Sequence, residues 1–293
     1  MDSENGWIPL RLAMEPPFRI VVRALLKRLK VSVHTRALWE VSKRPAYLLG
    51  VLTAAEQAIK QKVPAISVIE FGVAGGEGLV ALQEEAEAVE RETGIRIQVY
   101  GFDAGAQGLP AFIGDYRDHP DAWQPGDYPM DEAALRARLT SRTILILGNV
   151  RDTIKDFYRQ YQPAPVGFVS FDLDLYSSTR DALQIFSLPD KRMLWNVPLY
   201  FDDIEFLFNH RFAGELLAID EFNQHNDGVK IDHWHGVRMN RPFPERPFLE
   251  KMYVAHDLEA ISGANPGRAP VTLPLSYSLS LRERAERLQA SAR

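Results

Sequence analysis

Compact apolar runs recur along this chain at Pro64 to Glu70, Ile95 to Phe102, Thr143 to Leu147, Val166 to Phe171 and Val197 to Phe201. Each is bounded by glycine, proline or an acid and lacks strict alternation, the pattern of strands buried on both faces of a parallel sheet. Between them apolar positions recur at helical spacing. The pattern predicts helices over Leu79 to Thr93, Asp131 to Leu139, Asp152 to Tyr161 and Ser178 to Phe186, and another beginning near Ile204. Leu216 to Phe222 and Lys251 to His256 read as sixth and seventh strands. Alternating strands and helices predict a doubly wound α/β fold with a mostly parallel seven-stranded sheet, Rossmann-like in layout.

Residues 1–16 read as a loose, proline-bounded lead. Pro17 to Lys30 reads as a basic amphipathic helix suited to packing on the domain or on a second subunit, with a membrane surface the weaker reading. Thr35 to Lys43 extends the helical region, and Ala46 to Lys62 carries a buried stripe of Tyr47, Leu48, Val51, Leu52, Ala55 and Ile59. The expected organisation is a helical cap and oligomerisation segment over 1–62, covering the ligand edge of the sheet. A ligand-binding α/β domain follows over 63–262, then a Pro-rich loop and charged helix over 263–293. Residues 104–130, rich in glycine, proline and aspartate, read as a long functional loop.

Composition narrows the function classes. The 293 residues are 46% hydrophobic and 25% charged, with a formal net charge of −5, which gives no sign of a nucleic-acid partner. There is no cysteine, hence no disulfide framework and no thiolate metal site. The polar start MDSENGW does not read as a secretion signal, and no apolar run is long enough to span a membrane. A reducing, cytoplasmic setting is the expectation.

The stretch richest in chemistry is VGFVSFDLDLYSSTR, Val166 to Arg180. Its buried strand delivers Asp172 and Asp174 at the carboxyl end, where ligands bind in parallel sheets. Asp202-Asp203 ends the next strand. Acids converging at one edge are costly unless solvated, paired or bound to a cation. At the first strand, Glu70 leads into FGVAGGEG, whose spacing is neither the dinucleotide fingerprint nor a Walker loop. Glycines there admit a ligand close to the backbone, and Glu70 suits an amine-bearing ligand better than a pyrophosphate. Asp103, at the tip of the second strand, is placed to accept hydrogen bonds from ribose hydroxyls, so the ligand reads as a nucleoside.

The set EFGVAGGEG, GFDAGAQGLP, GNVRDTI, FDLDLYSST and YFDDI resembles the class I S-adenosylmethionine-dependent methyltransferases, and within them the macrocin O-methyltransferase family of antibiotic-sugar methylating enzymes. The resemblance covers roughly residues 44–222. It departs at Leu173, where a smaller residue is expected, and in LPDKRMLWNVPLYFDD, which lacks a Pro-Gly-Gly turn. The resemblance implies that Glu70, Gly72, Val73, Gly75 and Gly76 hold the methionine end of S-adenosylmethionine. Asp103 binds its ribose, and Asn149 and Val150 sit near its adenine. Asp172 faces the cofactor. Asp174, Asp202 and Asp203 bind a divalent cation, magnesium by preference, and Asp174 doubles as the general base. The implied substrate is a small-molecule hydroxyl acceptor that contains a sugar or vicinal diol, in natural-product biosynthesis, and the implied state is a homo-oligomer.

Other assignments stay open on the sequence. His225, His233 and His235 lie in NQHNDGVKIDHWHG, read as a loop, and any of them can serve as the base in place of Asp174. Glu221 is placed at the pocket, Trp195 and Trp234 are candidates to stack on a sugar, and Arg44 and Tyr47 are candidates for the cofactor carboxylate. Asp172-Leu173-Asp174 also fits the Asp-x-Asp of metal-dependent nucleotide-sugar glycosyltransferases. A catalytically silent scaffold is the third reading.

Overall fold

The computed structural model describes residues 15–264 of the chain, except Leu207. Seven strands, β1 (Ala65–Phe71), β2 (Arg96–Asp103), β3 (Thr143–Leu147), β4 (Val166–Phe171), β5 (Asn196–Phe201), β6 (Val229–His233) and β7 (Met252–Asp257), form one sheet in the order β3-β2-β1-β4-β5-β7-β6. The first five run parallel, and β7 is antiparallel to both its neighbours. The chain walks outward from β1 to β3 and then crosses to β4 on the other side of β1. That reversal opens a crevice at the carboxyl ends of β1 and β4.

A row of aromatic rings crosses the sheet just below this edge. Phe71 pairs in register with Phe102 on one side and with Phe171 on the other, and Phe171 pairs with Phe201. Their ring centroids lie 4.7, 5.4 and 4.6 Å apart along the row. Each ring is essentially fully buried, a burial that contributes roughly 2–3 kcal/mol per ring. The next residue in each strand is Gly72, Asp103, Asp172 or Asp202. One shared register therefore delivers four chemistry-bearing positions to one level. Backbone bonds carry it one step further: Gly72 N–H donates to the Phe102 carbonyl, Asp172 N–H to Phe71 and Asp202 N–H to Phe171, each at 2.9 Å.

Helices flank the sheet: α1 (Phe18–Leu26), α2 (Val33–Leu38), α3 (Pro45–Gln61), α4 (Glu77–Thr93), α5 (Glu132–Arg136), α6 (Val150–Thr153), α7 (Phe157–Tyr161), α8 (Tyr176–Ala182), α9 (Gly214–His225) and α10 (Leu258–Gly263). Helix α3 buries Tyr47, Leu48, Val51, Leu52 and Ala55 as expected, but Ile59 is 47% exposed. It lies in the last turn of the helix. Helix α1 docks through Arg19, which donates to the Pro242 carbonyl at 2.7 Å, and Arg23, which donates to the Glu40 carbonyl at 3.0 Å. Both guanidiniums lie over the Phe243 ring. Phe18, Val21 and Leu25 on its other side are exposed.

Several expected elements differ. Leu216 to Phe222 is part of helix α9, not a strand. Its buried residues Glu215, Ala218, Ile219 and Phe222 follow helical spacing, and a short apolar run fits either period. The helix expected near Ile204 is a set of turns, and the chain becomes helical only at Gly214. The sixth strand is instead Val229–His233, inside the segment read as a loop. Helices expected over Thr35 to Lys43 and Asp152 to Tyr161 are a short α2 and the pair α6 and α7. The Pro-rich loop and C-terminal helix lie outside the described residues.

Candidate functional site

A cavity of about 390 Å3 opens at the crevice between β1 and β4. Its lining brings together the residues expected to hold the cofactor and the cation: Glu70, Gly72, Val73, Gly75, Gly76, Asp103, Asn149, Val150, Asp172, Asp174, Asp202 and Asp203.

The β1 flank is built by the glycine turn. Gly72 has φ +83°, and a β-carbon on it would lie 1.6 Å from the Asp172 carbonyl oxygen, so the crossing of β1 past β4 admits only glycine. The turn is clasped by Asp103. Its Oδ2 accepts the N–H groups of Val73 and Ala74, both at 2.8 Å, and its Oδ1 accepts Gly105 N–H at 2.6 Å. A carboxylate has about four acceptor positions, so about one is left for a ligand hydroxyl.

Glu70 lies beneath the turn. Tyr47 OH donates to its Oε1 at 2.5 Å, and Ser170 Oγ donates to Tyr47 OH at 3.0 Å. Its Oε2 is buried with no partner among the described residues. Burial pushes the Glu70 carboxyl up to about 8, with Asp172 adding to the rise against Tyr47 and Arg44. A buried acid with an open oxygen at the cavity wall suits a cationic or donor-bearing group. Tyr47 is spent on Glu70 and fully buried, whereas Arg44 does line the cavity.

The β4 and β5 flank is acidic. Asp174 is buried with φ +62°, and its own N–H donates to Asp203 Oδ2 at 3.1 Å. Burial, then Asp172 and Asp202, push Asp174 up to about 7. Burial, then Asp203 and Asp202, push Asp172 up to about 7. The charge neighbours of Asp172 are thus the acids of β5 first, which places it in this cluster as well as beside the glycine turn. Asp203 is pushed up to about 8 by burial and by Asp174 and Asp202. Asp202 differs. Burial raises it, but the Tyr200 hydroxyl at 2.6 Å and Lys251 Nζ at 3.1 Å outweigh that and hold it low.

Glu215, which the sequence reading passed over, supports the cluster from α9. It is 1% exposed, its Oε2 accepts Asp203 N–H at 3.0 Å, and its Oε1 has no partner among the described residues. Oxygen-only acids that repel one another fit a hard divalent cation by charge and ligand type. Among the described residues, however, no three His, Cys, Asp or Glu side chains are already arranged around one ion position. Lys251 forms an ion pair with Asp202.

The third wall comes from residues 104–130, which contribute Leu109, Pro110, Trp123, Asp127 and Tyr128. Asp118, fully buried, fastens this segment to the start of α8. Its Oδ1 accepts Ser177 N–H at 2.8 Å, and its Oδ2 accepts Ser177 Oγ at 3.0 Å and Ile113 N–H at 2.9 Å.

The histidines are elsewhere. His225 is at the end of α9, with Nδ1 2.7 Å from the Glu221 carbonyl oxygen. His233 and His235 line a separate cavity with Trp234 and His256, so they are not bases for the acidic site. Glu221 accepts the Tyr176 hydroxyl at 2.6 Å, and neither it nor Trp195 lines the main cavity. The tryptophan at the site is Trp123, whose only sequence signal was its place in a long loop.

No family model and no curated protein matches the chain. Among solved structures it is similar to the calicheamicin methyltransferase CalS11, at 21% identity and TM-score 0.49, over 83% of this chain and 93% of that one. It is also similar to cofactor-bound Rv0187 from MTB, at 13% identity and TM-score 0.40, over 86% and 96% of the two chains. A third similar structure is the MycE methyltransferase of the mycinamycin biosynthetic pathway in complex with Mg, SAH and mycinamycin VI. There the values are 14% identity and TM-score 0.39, over 73% of this chain and 50% of that one.

Proposed function

We propose that this chain is an S-adenosylmethionine-dependent O-methyltransferase that uses a divalent cation, magnesium by preference, and acts on a hydroxyl of a sugar or vicinal diol. One observation carries the reading. A single cavity at the strand-order reversal has the glycine turn, Glu70, Asp103 and Asn149 on one flank and Asp172, Asp174, Asp202 and Asp203 on the other.

In this reading Glu70 and the turn of Gly72, Val73, Gly75 and Gly76 hold the amino-acid end of the cofactor. The remaining acceptor position of Asp103 takes a ribose hydroxyl, and Asn149 and Val150 border the adenine. Bound S-adenosylmethionine supplies an electrophilic methyl group, and a bound divalent cation supplies charge that favours an ionised hydroxyl. Asp174, Asp203 and Asp202 are the ligands for that cation. Asp174 takes the acceptor's proton. With that proton taken by Asp174, the acceptor oxygen would be free to take the methyl group, whose bonding electron pair would stay on the cofactor's sulfur. The exposed stripe of Phe18, Val21 and Leu25 supports a homo-oligomeric state.

Calorimetry tests the reading. Wild-type chain is expected to bind S-adenosylhomocysteine and Mg2+. Asp203→Ala is expected to lose the cation and methyl transfer while keeping S-adenosylhomocysteine affinity within about twofold. Full activity in excess chelator removes the cation. Binding of a nucleoside diphosphate sugar in place of S-adenosylhomocysteine restores the glycosyltransferase reading, and binding of neither nucleoside nor cation leaves a scaffold.

A further inference from the structure

Asp202 and Asp203 leave the tip of one strand, and each divides its two carboxylate oxygens in the same way. Asp203 Oδ2 accepts the backbone N–H of Asp174 at 3.1 Å. Asp202 Oδ1 accepts two side chains, the Tyr200 hydroxyl at 2.6 Å and Lys251 Nζ at 3.1 Å. No hydrogen bond from the described residues reaches Asp203 Oδ1 or Asp202 Oδ2, and both aspartates line the cavity.

Tyr200 and Lys251 lie outside that lining, and both are themselves held. Tyr200 is 7% exposed, and its ring meets the Tyr47 ring edge-on at 6.0 Å. Tyr47 is in turn tied to Glu70 and Ser170. Lys251 immediately precedes β7, and its carbonyl accepts Phe201 N–H at 3.0 Å, which locks its backbone beside the residue before Asp202. Its Nζ donates to the Asp202 carbonyl as well as to Oδ1, so it grips the aspartate by main chain and side chain.

An aspartate side chain has two torsions to fix. Two donors on one oxygen restrain both and leave the other oxygen as the free acceptor. Carboxylates that ligate a metal depend on such outer partners for their orientation. The Lys251 ammonium also repels a nearby dication, so its two effects oppose each other. The neutral Tyr200 hydroxyl has only the first.

We infer that Tyr200 and Lys251 are positioning residues for the cation: by clamping Oδ1 they hold Asp202 with Oδ2 turned into the cavity. The inference rests on the cation reading of the acidic flank and adds to it two residues outside the cavity.

The test is Mn2+ binding to the full chain by electron paramagnetic resonance, beside calorimetric binding of S-adenosylhomocysteine without metal. Mn2+ takes oxygen ligands as Mg2+ does, and its binding is read without turnover. Tyr200→Phe keeps the ring and removes the hydroxyl. It is expected to raise the half-saturating Mn2+ concentration about tenfold, with S-adenosylhomocysteine affinity and circular dichroism unchanged. Lys251→Met is expected to raise it by less, because lost repulsion offsets part of the lost clamp. Lys251→Arg restores a charged donor and is expected to return to within about twofold of wild type. The lysine variants read the clamp even where Tyr200→Phe does not fold. Three results overturn the inference. The first is unchanged Mn2+ affinity in either folded variant. The second is tighter Mn2+ binding by Lys251→Met, which makes the lysine a competing charge alone. The third is S-adenosylhomocysteine affinity falling in step with Mn2+ affinity, which makes the clamp a general support of the cavity. Failure of the cation reading shows differently, as a wild type that binds no Mn2+, and it removes the inference as well.

Discussion

Gly72 and Asp172 touch backbone to backbone: a β-carbon on the glycine would fall 1.6 Å from the aspartate's carbonyl oxygen. The contact sits where β1 and β4 part, and it holds the glycine turn against the acidic strand. Gly72→Ala combines this clash with a φ of +83° that L-residues rarely adopt, and neither can relax without moving a strand. The expected result is a loss of at least about 3 kcal/mol in stability. A thermal melt checks this, and an unshifted Tm would mean that β1 and β4 separate more freely than described.

Asp103 is as much a clasp as a ligand group. It is the acceptor for three backbone N–H groups of the turn and of the chain after β2. Asp103→Asn turns one acceptor oxygen into a donor facing a donor. Urea unfolding of the unliganded chain is expected to show a loss of about 2 kcal/mol, before any ligand is added. A group that only touched ribose would leave the unliganded stability unchanged and alter S-adenosylhomocysteine affinity alone.

Glu70 sets a pH dependence. Its folded-state carboxyl is pushed from 4.5 up to about 8 by burial. Below pH 4.5 both folded and unfolded chains hold the proton and there is no penalty. Between 4.5 and about 8 the unfolded chain releases it more readily, so this group's contribution to stability falls as pH rises, then levels off. Glu70→Gln keeps an oxygen for the Tyr47 hydroxyl and removes the titration. Urea midpoints of wild type and Glu70→Gln, compared at acidic and mildly alkaline pH, are expected to shift in favour of the variant as pH rises. A constant difference would show that Glu70 ionises normally in the fold.

The fold was legible where the physics is local. Strands β1, β4 and β5 end in a phenylalanine followed by a glycine or aspartate, β2 ends in Phe102-Asp103, and such largely apolar runs read as strands in an α/β chain. Leu216 to Phe222 was not legible because its apolar residues satisfy both periods, and only burial of Glu215 beside Asp203 selects the helix. Strand β6 was missed because Lys230 and Asp232 break its apolar pattern. Candidate ligands at strand tips were found because tips are fixed by register. Asp118, Trp123 and Glu215 reach the site region across long stretches of sequence, so no spacing rule marks them. The histidines drew attention by chemistry alone, and His233 and His235 lie by another cavity.

The 104–130 segment bears three aromatic or acidic wall residues yet has little regular structure, so its position depends on few fasteners. Asp118 is the strongest of these, fully buried and accepting from both the N–H and the hydroxyl of Ser177 as well as from Ile113. Asp118→Ala leaves these part-buried donors without their acceptor, a cost of about 2 kcal/mol. The cost falls on the segment rather than the sheet, because β1 to β5 share none of these bonds. Limited proteolysis is therefore expected to cut Asp118→Ala within 104–130 at least about tenfold faster than wild type, while circular dichroism of the sheet and helices changes little. Asp118→Asn retains one carbonyl acceptor for Ser177 and is expected to fall between the two. Equal cleavage of all three chains would show that the aromatic contacts of Trp123 and His119 with Phe206 hold the wall without Asp118.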